Sequence, residues 1–459
     1  MRWKLPLSAV LAVASASAQF KTINPTVKEI VDAVSQERIA AIMKKLESFE
    51  TRNLFSEDDN PRRGIGAARR WIFDQFTSYS PRLEVRFDSY KVKKKGRIVR
   101  DVEIHNVVAV LPGKLNPERQ FILSGHYDSL ALLRPLQSNP DGSGQPAPDS
   151  QFDLSNLAPT APGVSDDGSG TAAVLELARV MSRYEFEKTI VFVAFTGEEE
   201  GLVGSTLYAR KARQENQIID GVLNNDIIGT EVSGNGRIDN GSVWVFSEEP
   251  DDSSSRELAR YVQDMGERYL PSFRVDLIFR PDRLGRGGDH TAFNLEGYPG
   301  VRFTTPNETY ANQHTVTDTF ANASPAYATR VVQANAAALA SLALAPKAPV
   351  TSEPIKSGPR KGQPTPMLGR GKSRYDAALR WKNDNPEPDL LGYVVVMRKT
   401  TSPYWEREIF VGNVTEFTLK DVSIDDVIFG VKAVDRNGNE SLVSPYVPSP
   451  RRKNEIETY

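Results

Sequence analysis

"VFVAFTGEEEGLVGS", residues 191–205, runs an apolar stretch directly into three glutamates and then into a glycine-rich bend. Val191, Val193 and Phe195 alternate with Phe192 and Ala194, so both faces are apolar, as in a strand covered on each side in a parallel sheet. Glu198, Glu199 and Glu200 follow at its carboxyl end, where open α/β sheets bind their ligands. An acidic triplet read alone is more simply a loop that solubilises a strand end. The surrounding chain decides between the two readings.

Outward from this stretch, "NVVAVLPG" (106–113) and "QFILSGHYDS" (120–129) read as further apolar strands, and more follow near "GSVWVFS" and "PGVRFTT". "TAAVLELARVMSRY" (171–184) reads as a helix, as does most of the chain from about Lys28 to Tyr79, where apolar residues recur at spacings of three and four. Strands alternating with helices predict an α/β fold, a mostly parallel sheet with helices on both faces. Residues 130–162, with "QSNPDGSGQPAPDSQ" at their centre, are too polar to form a core of their own and read as an exposed insertion, either bordering a site at the strand ends or a surface loop without function. The Pro-, Gly- and Lys-rich stretch 346–372 reads as a linker. Beyond it, 373–450 has the rhythm of short strands and turns that marks an all-β sandwich, followed by a tail at 451–459.

The 459 residues, 39% hydrophobic and 25% charged with a formal net charge of −2, give a globular composition without the basic excess expected of a nucleic-acid partner. Arg2 and Lys4, an apolar segment and Ala16-Ser17-Ala18 predict a secretory signal over 1–18, and hence a secreted, extracellular protein whose first domain is 19–345. No later segment reaches spanning length, so no membrane span is expected. There is no cysteine, which leaves His, Asp and Glu as the only strong metal ligands. Sequons at Asn240, Asn307, Asn322, Asn413 and Asn439 are compatible with glycosylation.

Only four histidines occur. His126 ends a strand candidate with Asp128 two positions on, so the two share a face in extended chain. Asp166 and Asp167 precede a Gly-Ser-Gly turn that opens a helix; helix capping explains one of them but not both. Asp226 follows an apolar run in "NNDIIG", and "NQHTVTDTF" pairs His314 with Asp318. Each fragment alone has a plain structural explanation. Together, His126, Asp166, Glu199, Asp226 and His314 supply the nitrogen and oxygen donors that a pair of adjacent zinc ions requires, a bridging carboxylate included.

"SGHYDS", "GVSDDGSGTAAVLELAR", "TGEEEGLVGS", "NNDIIG" and "NQHTVTDT" occur in the order and spacing of the di-zinc exopeptidases, the family of the bacterial leucine aminopeptidases and of glutamate carboxypeptidase, which the chain resembles over about residues 100–345. The resemblance implies two Zn2+ per chain: Asp166 bridging, His126 and Asp226 completing one ion, Glu199 and His314 the other. It implies that Glu198 is the general base for a zinc-bridging water that attacks a peptide bond at the amino end of peptide or protein substrates. Asp128 is expected behind His126, Asp318 beside His314, and Glu200 as a solvated acid without a direct role; His290 is expected to be structural or pocket-lining. The chain departs from the pattern at Gln313, where some aminopeptidases of the group carry a carbonyl-polarising tyrosine; Tyr310 lies three positions earlier.

The segment after the linker resembles a fibronectin type III domain through Trp381, "GYVVVMR" and "VKAVDRNGNES", which implies substrate docking or surface or matrix attachment, or a passive spacer. Two other readings stay open: a carboxypeptidase or dipeptidase on the same scaffold, and an inactive relative working as a binding or adhesion protein. The single-zinc glutaminyl cyclases are a further relative, against which the second-ion donors His126 and Asp226 argue.

Overall fold

The computed structural model describes residues 22–135, 153–283, 286–306, 308–383 and 387–447. The expected signal 1–18, the centre of the 130–162 stretch, the Asn307 sequon and the tail 451–459 lie outside them. The chain divides into two compact units, Ile23–Ala345 and a second that comprises Pro346–Tyr459.

In the first unit, α1 (Pro25–Asp32), α2 (Gln36–Glu47) and α3 (Gly64–Tyr79) precede the sheet. The periodic run through residues 30–49 is broken at Ser35, whose hydroxyl caps α2 by accepting from Arg38 N. The Ser35 N–H donates instead to the buried Glu176 at 2.8 Å, so a tertiary partner competes with helix continuation. Then follow β1 (Glu84–Val92), β2 (Val102–Leu111), β3 (Asn116–His126), α4 (Gly168–Met181), β4 (Lys188–Phe195), α5 (Val203–Gln214) and β5 (Ile218–Asn225). The unit closes with β6 (Ser242–Ser247), α6 (Ser254–Tyr269), β7 (Arg274–Ile278), α7 (Asp289–Leu295), β8 (Gly300–Thr304) and α8 (Pro325–Leu344).

The sheet order is β1-β2-β4-β3-β5-β8-β6-β7. Four of its seven pairs, β4-β3, β3-β5, β5-β8 and β6-β7, are parallel, as expected, while β1-β2, β2-β4 and β8-β6 pair antiparallel, so the sheet is mixed around a parallel centre. Every residue of β4 is buried. Val191, Val193 and Phe195 pack with Tyr208 and Ala212 of α5 and Phe293 of α7, and the alternate residues Ile190, Phe192 and Ala194 are equally enclosed. Each large side chain fully buried here contributes about 1.5–3 kcal/mol, which is why this strand fixes the middle of the fold.

In the second unit, β9 (Ser352–Pro354) pairs with β10 (Pro364–Pro366). β11 (Leu368–Gly369), β12 (Ala377–Arg380) and β15 (Glu416–Leu419) form a three-stranded sheet; β13 (Leu390–Lys399), β14 (Arg407–Gly412), β16 (Val427–Asp435) and β17 (Ser444–Pro445) form a four-stranded one. All pairs are antiparallel, consistent with a sandwich, and Trp381, Tyr393, Val395 and Phe429 form the core. The expected linker 346–372 is part of this unit: Val350 and Lys382 exchange backbone hydrogen bonds, and Met367 lies in the core. Pro354, Pro364 and Pro366 sit on its short β9-β10 pair, where a missing N–H costs little. Asn439 is buried with its amide donating to Asp435 at 2.6 Å, so that sequon is a turn element rather than an exposed acceptor.

Candidate metal centre

Three neighbouring parallel strands supply the site from their carboxyl ends. His126 ends β3, the Glu198–Glu200 turn follows β4, and Asp226 follows β5. Asp166 lies ahead of α4 and His314 between β8 and α8. Candidate ligand atoms of His126, Asp166 and Asp226 all lie within 4.8 Å of one another, and so do those of Asp166, Glu199 and His314. Asp166 belongs to both groups, with Oδ1 3.3 Å from His126 Nε2 and Oδ2 3.2 Å from His314 Nε2. His126 Nε2 stands 3.7 Å from Asp226 Oδ1, and His314 Nε2 stands 3.0 Å from Glu199 Oε2.

The donor set fits two borderline cations. His126 Nε2 and Glu199 Oε1 are buried without a hydrogen-bond partner in the protein, although buried polar atoms are nearly always satisfied. Two imidazoles and three carboxylates, one of them shared, are the ligand types zinc accepts. The backbone accepts strain to present them: His314 (φ 55°) and Ile227 (φ 58°), the residue after Asp226, occupy the left-handed region, which is unusual for a β-branched residue such as isoleucine.

A second layer of buried polar groups orients these donors. Asp128 places its carbonyl oxygen 3.2 Å and a carboxylate oxygen 3.5 Å from His126 Nδ1, leaving Nε2 to face the centre. Asp167, the other member of the acidic pair, caps α4 by accepting from Gly170 N at 2.8 Å, and also accepts from the backbone of His126 and Ile227. Only glycine fits at 170, since an added Cβ would stand 2.2 Å from the Asn225 carbonyl oxygen. Asp318 departs from its expected place beside His314: it accepts from Ser165 N and Asp166 N and so holds the loop that carries the shared carboxylate.

Glu200 also departs from expectation. It is buried, with both carboxylate oxygens lacking a hydrogen-bond partner in the protein. Left-handed Gly197, Gly201 and Leu202 turn the loop inward there, and strand alternation says nothing past Phe195. His290 is buried with Nε2 2.9 Å from the Pro281 carbonyl oxygen, a structural contact. Tyr310 is 65% exposed, whereas Gln313 donates through Nε2 to Asp166 Oδ2 at 3.0 Å and accepts through Oε1 from Arg286 at 2.9 Å.

Sequence reasoning missed two arginines. Arg52, fully buried, donates to the carbonyls of Leu46, Tyr127, Pro162 and Gly163, tying together the loops around His126 and Asp166. Arg302 on β8 is fully buried and donates to Asp226 Oδ2 at 3.1 Å. A charge inside the apolar run "PGVRFTT" was a usable signal for the second; nothing in "ETRN" marked the first. The flanks of the 130–162 stretch are built in rather than exposed: Leu130, Ala131, Asn156 and Ala161 are buried, and Leu132 N donates to the His314 carbonyl.

Against the upward push of burial, Arg302 and His126 hold Asp226 below the ordinary carboxylate range. Burial pushes the half-buried Glu198 well above it; His126 opposes, while Asp226, Glu199 and Asp289 add to the rise. Burial, reinforced by Asp128 and Asp226, pushes Asp289 up to about 7.

A profile of peptidase family M28 matches residues 106–339. The chain is 35% identical over 475 residues to a probable zinc metalloprotease of Pyricularia oryzae, covering 96% of this chain and 87% of that one. A probable zinc metalloprotease of Leptosphaeria maculans is 33% identical, with 90% and 95% covered. Among solved structures, LapB from Legionella pneumophila superposes with a TM-score of 0.53 at 20% identity over 72% of this chain and 78% of its own. A leucine aminopeptidase precursor from Bacteroides thetaiotaomicron gives 0.50 at 14% identity over 66% and 96%. At such identities these two bear on fold alone.

Proposed function

This chain belongs to peptidase family M28 and is a zinc-dependent metallopeptidase, and on that premise we propose that it is a two-zinc exopeptidase acting at the amino end of peptides. The observation that carries the reading is the pair of three-donor groups sharing Asp166. His126 and Asp226 would hold one ion, and Glu199 and His314 the other. When bound, the ions supply Lewis-acid polarisation of the peptide carbonyl and acidify a water toward neutral pH. Glu198, half-buried beside the ligand Glu199, takes the attacking water's proton and passes it to the leaving amine. Asp128 fixes the tautomer of His126, and Arg302 keeps Asp226 ionised.

The acidic surroundings favour an incoming α-ammonium group over a carboxylate, which supports the amino end. A carboxypeptidase or dipeptidase is the second reading, favoured by one observation: the partly exposed Arg286 next to Gln313. Metal analysis combined with a panel of aminoacyl nitroanilides and peptides, free or acetylated, tests the proposal. Two zinc ions per chain and cleavage of unblocked substrates only are expected. Turnover restricted to substrates with a free carboxyl end would replace the reading with its rival.

Secretion through residues 1–18 is part of the same proposal, supported by the charge and small-residue pattern there; no helix among the described residues is long and apolar enough to cross a membrane. For the second unit, its antiparallel sheets and the Trp381 core support the fibronectin type III likeness and a docking or attachment role.

A further inference from the structure

Gln313 directly precedes the ligand candidate His314, and its amide is engaged at both ends. Nε2 donates to the shared carboxylate of Asp166 and Oε1 accepts from Arg286 Nη1 at 2.9 Å. Arg286 is therefore two hydrogen bonds from the centre of the metal site. Its backbone N–H donates to the Arg283 carbonyl at 3.1 Å, its guanidinium also forms a loose ion pair with Glu308 at 3.7 Å, and its side chain is 31% exposed, while a guanidinium carries five N–H donors. The backbone beside it is pressed against the opposite side of the site: a Cβ added at Gly288 would stand 3.3 Å from Asp226 Oδ2. The segment 286–288 thus reaches both three-donor groups, one through Gln313 and Asp166 and the other beside Asp226, and the ligand candidate His314 is itself 29% exposed.

We propose that Arg286 is a catalytic residue that donates to the peptide carbonyl oxygen as it becomes an oxyanion, with Gln313 as the residue that positions it. The inference rests on the exopeptidase reading above. In the step concerned, the water oxygen bonds to the carbonyl carbon, the π pair moves to the carbonyl oxygen and the water's proton goes to Glu198. Collapse then breaks the C–N bond and returns that proton to the amine nitrogen. Negative charge grows on one oxygen only between these two events, and a fixed cation facing it stabilises the transition state more than the substrate. Gln313 holds the guanidinium there without neutralising it, since an amide oxygen accepts the hydrogen bond but brings no net charge.

The test compares wild type with Arg286→Met, Arg286→Lys and Gln313→Leu on an unblocked aminoacyl nitroanilide, which has no carboxylate, and on a dipeptide. Zinc content and binding of an α-aminoalkylboronic acid and of the product amino acid are measured by calorimetry alongside. Arg286→Met is expected to lower kcat about 10²–10³-fold on both substrates, the loss typical of one oxyanion donor, with KM changed less than about threefold and zinc retained. The boronic acid, a tetrahedral mimic, should weaken by a similar factor and the amino acid hardly at all. Arg286→Lys should recover part of the loss, and Gln313→Leu should fall between the two. Undiminished kcat in Arg286→Met and Arg286→Lys overturns the proposal. A loss confined to dipeptide KM and amino-acid affinity also overturns it, and makes Arg286 a carboxylate clamp. Wild-type protein that holds two zinc ions but cleaves neither substrate defeats the exopeptidase reading instead, and the boronic-acid comparison still judges the contact.

Discussion

In the C-terminal unit the buried Lys432 ammonium closes on Glu408 at 3.0 Å and on Glu440 at 2.5 Å, whereas at the strand ends of the first unit His126 Nε2, Glu199 Oε1 and both oxygens of Glu200 and Asp289 are buried without a hydrogen-bond partner in the protein. Both regions bury charge, and both bear the desolvation that this entails. The first arrangement is complete within the protein and serves structure. The second is complete only with something added, and the donor types say what: cations at His126 and Glu199. Glu200 and Asp289 lie outside the two donor groups, and for them burial among acids favours the protonated form.

The contrast can be broken by substitution at either place. The largest effect is expected from Glu198→Gln, which keeps the shape of the site but removes the proton acceptor: kcat should fall about 10²–10⁴-fold with zinc content unchanged. Steady-state kinetics with parallel metal analysis checks it, and a variant keeping most of its turnover would separate Glu198 from the chemistry. Arg52→Met should come next. Four carbonyls lose their donor at once, and about 4 kcal/mol of stability should go from the first unit, with zinc affinity falling as the loops loosen. Denaturant unfolding followed in the presence and absence of zinc reads both.

Lys432→Met opens the closed pair instead. It should cost the second unit about 3 kcal/mol, because the buried Glu440 loses its ammonium partner, while peptidase activity on small substrates stays within about twofold of wild type. A large fall in activity would show that the second unit's stability is felt at the metal site. Glu200→Gln is the smallest change and the sharpest check of the distinction between donors that await a cation and acids that do not. It should leave zinc stoichiometry intact and raise stability by up to about 1 kcal/mol, seen as a higher Tm at neutral pH, because the amide is neutral in the folded and unfolded chain alike, whereas the acid must take up a proton to be buried. Loss of a zinc ion would instead place Glu200 among the ligands.

Much of this was legible before any fold was known. The double-faced apolar run 190–195 marked the central strand, and the motif order placed five donors at strand ends and loops that do meet. What could not be read followed from the direction of the chain beyond regular structure. Glu200 turns inward through left-handed backbone at Gly201 and Leu202, and Asp318 reaches backbone amides 152 residues away rather than the imidazole four residues away. The stretch 346–372 was misread because composition records the absence of core-forming residues but not the edge pairing that prolines still permit.

Residue types and their spacing determined on their own which atoms could bind cations and that an α/β sheet would carry them, because strand periodicity and donor chemistry are local properties. Only the tertiary structure decided that Asp167 caps a helix while also accepting from the backbone of His126 and Ile227, and that Arg52 and Arg302 stand behind the site. Those outcomes depend on which loops the packed sheet brings within hydrogen-bond reach, and that distance is set by chain segments far apart in sequence.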